Sequence, residues 1–163
     1  MKISGRKYFN VRVYGLLMHE GAVLLSDEFI NGREITKFPG GGLEFGEGTR
    51  ECLMREFREE LKMNVEVCDH FYTTDFYVVS SFNSNAQVIS IYYEVKSDSC
   101  ARIVTTHRKF DFSFKKEGAQ SFRWRQLSEI NEDDFTFSID KKVAQLLRYD
   151  FENSNLKQLN SKI

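Results

Sequence analysis

Gly41-Gly42-Leu43-Glu44-Phe45-Gly46-Glu47, followed after seven residues by Arg55-Glu56-Phe57-Arg58-Glu59-Glu60-Leu61-Lys62-Met63, is the stretch that decides the fold. A glycine-rich entry runs into a segment that forms a helix. From Thr49, which reads as the N-cap, apolar Leu53, Phe57 and Leu61 recur every fourth position. About three turns of amphipathic helix are therefore predicted, with that stripe against a core. Glu56, Glu59 and Glu60 stand at i, i+3 and i+4 and share an arc of roughly 100°. Like charges at that spacing repel, and a bound divalent cation would turn the repulsion into coordination. Glu60 also lies only about 20° around the helix from Leu53, at the edge of the buried stripe, where an unpaired carboxylate is costly. The competing reading is a solvated face laced by pairs such as Glu51 to Arg55, each worth about 0.2–0.5 kcal/mol.

Outward from this stretch, the only proline, Pro39, precedes Gly40-Gly41-Gly42. It fixes one φ angle and leaves three residues free to approach a ligand closely, a loop shaped like an anion cradle. Upstream, Val11 to Met18 reads as a buried strand that turns at Glu20-Gly21 into Ala22 to Leu25. Asn31-Gly32, a pair suited to a type I′ turn, separates Asp27 to Ile30 from Arg33 to Phe38 and predicts a second hairpin. Downstream, Phe71 to Phe82 and Ala86 to Val95 read as a long hairpin split by Asn83-Ser84-Asn85. Ser97 to Lys116 mixes basic and apolar pieces and reads either as a loop or as an irregular strand pair. Ser121 to Gln126 alternates like a strand, and Asp140 to Tyr149 is helical through Val143, Leu146 and Leu147. Asn153 to Ile163 is polar and is expected to fray.

The chain has 163 residues, 41% of them hydrophobic, which fits one domain over residues 1–150 and a polar tail over 151–163. A formal charge of −1, from 23 basic and 24 acidic residues, lacks the electrostatics of a nucleic-acid or membrane-surface binder. A small-molecule partner is expected instead. Cys52, Cys68 and Cys100 are widely spaced with no CxxC pair, so no disulfide framework or zinc site is indicated. With no apolar leader or span, the reading is cytoplasmic.

The segment resembles the Nudix box, Gly-x5-Glu-x7-Arg-Glu-U-x-Glu-Glu-x-Gly-U, where U is bulky and aliphatic or aromatic. Six of its seven fixed residues are present, with Phe57 and Met63 at the U positions. The resemblance, with the order hairpin, glycine loop, helix, hairpin, covers about residues 8 to 150. It implies an α/β (α+β) Nudix fold, an α/β/α sandwich with a mixed β-sheet. It also implies a Mg²⁺- or Mn²⁺-dependent hydrolase that cleaves the pyrophosphate bond of a nucleoside diphosphate linked to another moiety, releasing a nucleoside monophosphate. Carried over by position, Glu56, Glu59 and Glu60 match metal and catalytic carboxylates, the Gly40 carbonyl a backbone metal ligand, and Arg55 an orienting cation. Glu47 matches the box's first glutamate and falls, with Gly41 and Gly42, on the substrate side. Independently of the resemblance, Arg12, Arg102, His107, Arg108 and Lys109 are read as candidates to hold a second phosphate or sugar, against the plainer reading of solvated surface cations.

Glu56 is the favoured general base and Glu117, in Lys-Glu-Gly before a Trp strand, its rival. Lys62 departs from the usual glycine. The helix is expected either to continue to Asn64 or to carry roughly 1–2 kcal/mol of strain at Lys62. The alternative function is a nucleotide-sensing module that keeps the fold without turnover, and homodimers are common among proteins of this kind.

Overall fold

The computed structural model describes residues 6–160, the side chains of 158–160 excepted. The basic start of the chain up to residue 5 and the tail beyond residue 160 lie outside the described residues. Its elements are strands β1 (Tyr8–His19), β2 (Ala22–Ile30), β3 (Arg33–Lys37) and β4 (Gly40–Gly42), helix α1 (Thr49–Leu61), strands β5 (Glu66–Thr73), β6 (Ala86–Lys96) and β7 (Ala119–Gln126), and helix α2 (Ser138–Asn160). The chain forms two compact units, one up to Leu16 together with Pro39–Ser99, the other Leu17–Phe38 together with Cys100 onward.

In the first unit, β4 pairs antiparallel with β1, Val13 opposite Gly41, and β6 pairs antiparallel with β5. Helix α1 packs on this sheet through Cys52, Leu53 and Phe57, all fully buried. Gly15 makes that packing close, because a Cβ there would stand 2.6 Å from the Phe57 ring. Leu61, predicted as the end of the stripe, is only half-buried. Glu60 is intermediate in exposure, as its angle around the helix required.

The glycine segment is a strand and not the open loop read from its composition. Gly41 stands opposite Val13 in a short β-ladder with β1, while the Gly40 N–H faces the Glu60 carboxylate. Gly40 is required by the backbone, and Gly41 leaves room for the Glu56 side chain. Gly40 has φ +132°, and a Cβ there would meet the Val13 carbonyl oxygen at 2.2 Å; one on Gly41 would meet the Glu56 carboxylate at 2.3 Å.

Helix α1 is capped by Gly48, one residue before the predicted Thr49. Glu51 reaches back to accept the Gly48 N–H at 2.8 Å, which satisfies a donor the helix cannot. The Thr49 hydroxyl is taken by Tyr93, 2.9 Å away. At the other end the helix stops at Leu61, and Lys62 adopts the left-handed conformation, φ 54° and ψ 34°. Its N–H donates to the Arg58 carbonyl at 3.2 Å, the 5→1 bond of a left-handed cap, and the Met63 N–H reaches the Phe57 carbonyl at 3.4 Å. Of the two expectations for Lys62, strain is the one realised. Its ammonium donates to the Glu59 carbonyl at 2.7 Å, which offsets part of it. Lys62→Gly is therefore expected to raise stability by about 1 kcal/mol, or roughly 2–4 °C in melting temperature for a chain of this size. A thermal melt that falls would show the ammonium bond outweighing the backbone strain.

Strand β5 begins at Glu66 and ends at Thr73, earlier at both ends than the predicted Phe71 to Phe82. Two register shifts against β6 break the period of two, so its residues do not alternate in polarity. The stretch 74–85 forms an irregular arm, tied to β6 by Val88 N–H to Val78 C=O and Ser80 N–H to Ala86 C=O, both 2.8 Å.

In the second unit, β2 pairs with β3 and, over eight residues, with β7. Both predicted turns are present. Glu20 and Gly21 have φ 48° and 75°, Asn31 and Gly32 have φ 51° and 72°, as a type I′ turn requires. Buried Asp27 accepts from Arg123 Nε at 2.8 Å and from the Thr36 hydroxyl at 2.6 Å, so this buried charge is paired. Segment 97–116 is irregular apart from a short 3₁₀ turn at Cys100–Arg102. Helix α2 extends past Tyr149 to Asn160, against the expectation of fraying. Half-buried Phe151 continues the fourfold spacing of Ile139, Val143 and Leu147, and Arg148 pairs with Glu152 one turn on at 2.9 Å.

Candidate active site

Glu47, Glu56, Glu59 and the Gly42 carbonyl converge on Arg55. Its Nη2 and Nε bind both oxygens of Glu47, at 2.6 and 3.0 Å. Nη1 donates to Glu56 at 2.9 Å and to Glu59 at 3.4 Å, and Nη2 also reaches the Gly42 carbonyl at 3.1 Å. The planar fork of a guanidinium is what allows one cation to address three carboxylates and a carbonyl in fixed directions. The bidentate bond to Arg55, with the Glu44 N–H donating as well, holds the Glu47 carboxyl down at about 2. In return Glu47 raises the already high pKa of Arg55.

Glu60 turns away from this fork toward β4, its Oε2 3.4 Å from the Gly40 N–H. Glu56 lies over Gly41. Arg12, opposite Gly42 in the β-ladder, bonds the Tyr14 hydroxyl and lies over its ring. Its guanidinium is 3.9 Å from where a Gly42 Cβ would be. The structure thus brings together Arg12, Gly40, Gly41, Gly42, Glu47, Arg55, Glu56, Glu59 and Glu60. Glu117 belongs to the second unit, where its carboxylate accepts the Asn31 N–H of the β2–β3 turn at 2.7 Å.

Two residues escaped the sequence reading. Cys52 donates to the Gly42 carbonyl at 3.4 Å, and burial, then Glu47, pushes its thiol up to about 12, so it stays protonated. Tyr14 fixes the Arg12 guanidinium. The signals were present: Cys52 is one helical turn before Arg55, and Tyr14 is two residues after Arg12 on the same strand face.

The donor set suits a hard divalent ion. Three glutamates share one arginine with a fourth, Glu60, nearby, leaving net negative charge, and every candidate ligand atom is oxygen, the type that Mg²⁺ takes. Among the described residues no three His, Cys, Asp or Glu side chains already enclose such a site. Glu59, with 60% of its side chain exposed, is free to rotate toward one.

Gly41 and Gly40 offer a matched test. In Gly41→Ala the new methyl strikes the flexible end of Glu56, so the fold should hold while turnover falls by on the order of tenfold. Gly40→Ala strikes backbone at positive φ and is expected to lose about 2–4 kcal/mol of stability. Urea midpoints and initial rates for both variants check this; equal stability losses would refute it.

Among the described residues no helix is long and apolar enough to cross a membrane. A family model described as the NUDIX domain matches residues 8–147. Among solved structures, the MutT protein from Methanosarcina mazei Go1 is 20% identical, with 93% of this chain and 99% of that chain covered and a TM-score of 0.62. A NUDIX hydrolase from Nitrosomonas europaea is 17% identical over 91% and 90% of the two chains, with a TM-score of 0.61. A UDP-X diphosphatase is 14% identical over 93% and 66%, with a TM-score of 0.58. These likenesses show a mixed α+β fold of the same kind. No curated protein sequence matches the chain.

Proposed function

Since the chain belongs to the Nudix family, whose reaction is pyrophosphate hydrolysis, we propose that it cleaves a nucleoside diphosphate linked to another moiety, with Mg²⁺ or Mn²⁺, and releases a nucleoside monophosphate. The observation that carries this is the excess of carboxylates gathered on Arg55 beside the tight β4 ladder. Arg55 offsets one of these charges, a divalent cation would offset the remainder, and a diphosphate is the substrate that brings its own negative charge to that cation. Glu56, Glu59, Glu60 and the Gly40 carbonyl would hold the ion, which when bound neutralises the diphosphate and makes a water easier to deprotonate.

The chain's own residues do the rest. Arg12 neutralises the outer phosphate. Glu47 keeps Arg55 in place, and Arg55 keeps Glu56 aimed across Gly41. Glu56 takes the proton as the water oxygen bonds to phosphorus and the bridging P–O bond breaks, with Glu117 the rival for that role. A cytoplasmic setting is consistent with three cysteines, none in a disulfide. The partner is a small molecule, and a homodimer is the assembly proposed.

The test is a panel of nucleotide sugars, dinucleoside polyphosphates, ADP-ribose and oxidised nucleotides, assayed with each metal for monophosphate release. Turnover of one or more members is the expected result. Binding with thermal stabilisation and no product would replace the enzyme reading with a sensing module, and a null result throughout would end both.

A further inference from the structure

At the far end of β1 from the box, the first unit carries a cleft of about 340 Å³ lined by Lys7, Tyr8, Phe9, Tyr77, Asn85 and Gln87, among others. Three of these are aromatic and conspicuously open to solvent: Tyr8 is 50% exposed, Phe9 66% and Tyr77 73%. Scattered exposed aromatics need no explanation, but a cluster around one concavity does. The walls are fixed by backbone bonds. Tyr8 N–H donates to Asn85 C=O and Ala86 N–H to Asn83 C=O, each at 3.0 Å, and Val79 bridges to Gln87. The Asn83 amide holds the Tyr8 hydroxyl at 3.0 Å.

Strand geometry connects this cleft to the box. Tyr8, Asn10 and Arg12 are alternate residues of β1 and project from one face of it. Arg12 stands opposite Gly42. Four residues of extended strand span about 13 Å, so a phosphate at Arg12 and a ring at Tyr8 lie at opposite ends of one track with an amide between them. Rigid aromatic faces, the amides of Asn85 and Gln87 and the cationic Lys7 suit a flat, hydrogen-bonding heteroaromatic ring that bears negative charge nearby. An aliphatic chain would leave the amides and the cation unused.

We propose that this cleft is a stacking subsite for a nucleobase at the far end of the substrate, so that the preferred substrates carry an aromatic base on the moiety beyond the diphosphate. This rests on the proposed hydrolase reading and narrows its substrate class. It also makes a claim about binding that does not depend on turnover.

Two measurements test it. Titrating adenosine into the ¹⁵N-labelled chain is expected to shift the backbone amides of Tyr8, Phe9 and Ser84 to Gln87, and Tyr77→Ala should weaken that binding on the order of tenfold. In the Mg²⁺ assay, a dinucleoside diphosphate should be preferred over a nucleotide sugar. Tyr77→Ala and Tyr8→Ala should each lower that preference on the order of tenfold through KM. If no substrate of either kind is turned over, the hydrolase reading fails while the titration still judges the cleft. If those amides do not move, or if the preference survives both variants, the subsite is refuted. A concentration-dependent dimer abolished by Tyr77→Ala, with no adenosine shifts, would assign the patch to a second copy and overturn the proposal as well.

Discussion

Replacing Glu60 by glutamine is expected to lower kcat by on the order of 10²–10³ while the protein stays folded. The substitution keeps the shape and removes one negative charge. Glu60 sits at the edge of the helix stripe with Oε2 toward the Gly40 N–H, a contact that an amide oxygen can keep. Stability should therefore change little. Charge aimed at the reacting group in a partly desolvated site is a different matter, because its loss falls wholly on the transition state, and single-donor removals of this kind have effects of that size. The half-saturating Mg²⁺ concentration should rise together with the loss in kcat. Melting temperature, metal titration and single-turnover rates on the same preparation separate these effects. A full rate at saturating metal would remove Glu60 from the machinery.

Arg55→Lys is expected to cost activity 10–100-fold, the usual range when the group that orients a metal ligand is lost. Arg55 addresses Glu47 twice, and Glu56, Glu59 and the Gly42 carbonyl once each. An ammonium has three donors at a single point and cannot reproduce that fork. The variant also has a signature in pH. The folded Glu47 carboxyl is held at about 2, below its ordinary 4.5, chiefly by Arg55. A depressed carboxyl contributes stability that is fully present above the unfolded value and disappears as pH falls through the folded one. The stability gap between wild type and Arg55→Lys should thus be full above pH 4.5 and close as pH approaches about 2. Urea midpoints at three pH values measure it. A gap that is constant with pH would show that Arg55 acts on stability by packing alone.

The box was legible because its information is local. Spacings of three and four residues translate directly into helix faces, so the neighbourhood of Glu56, Glu59 and Glu60 and the position of Glu60 beside the stripe followed from counting. The two turns were legible for the same reason, Asn31-Gly32 as a type I′ pair and Glu20-Gly21 as a turn whose left-handed φ angles the structure supplied. Misreadings came where local pattern is ambiguous. Three glycines look like a loop until a partner strand is known, and bulges hid the alternation of β5. The polar end of α2 concealed Phe151 as the next member of its stripe.

The sequence by itself determined the carboxylate helix, its glycine entry and the hairpins, because backbone preference and periodicity act over a few residues. Only the tertiary structure decided that Gly40–Gly42 pairs with β1 and so sets Arg12 beside Gly42, that Arg55 gathers Glu47, Glu56 and Glu59, and that Tyr8 and Tyr77 share a cleft. The pairing of β4 with β1 and the Tyr8–Tyr77 cleft join residues tens of positions apart, and the Arg55 fork depends on where the Gly42–Glu47 segment lies against the helix. Which of many loop closures succeeds depends on complementary surfaces that no short window contains.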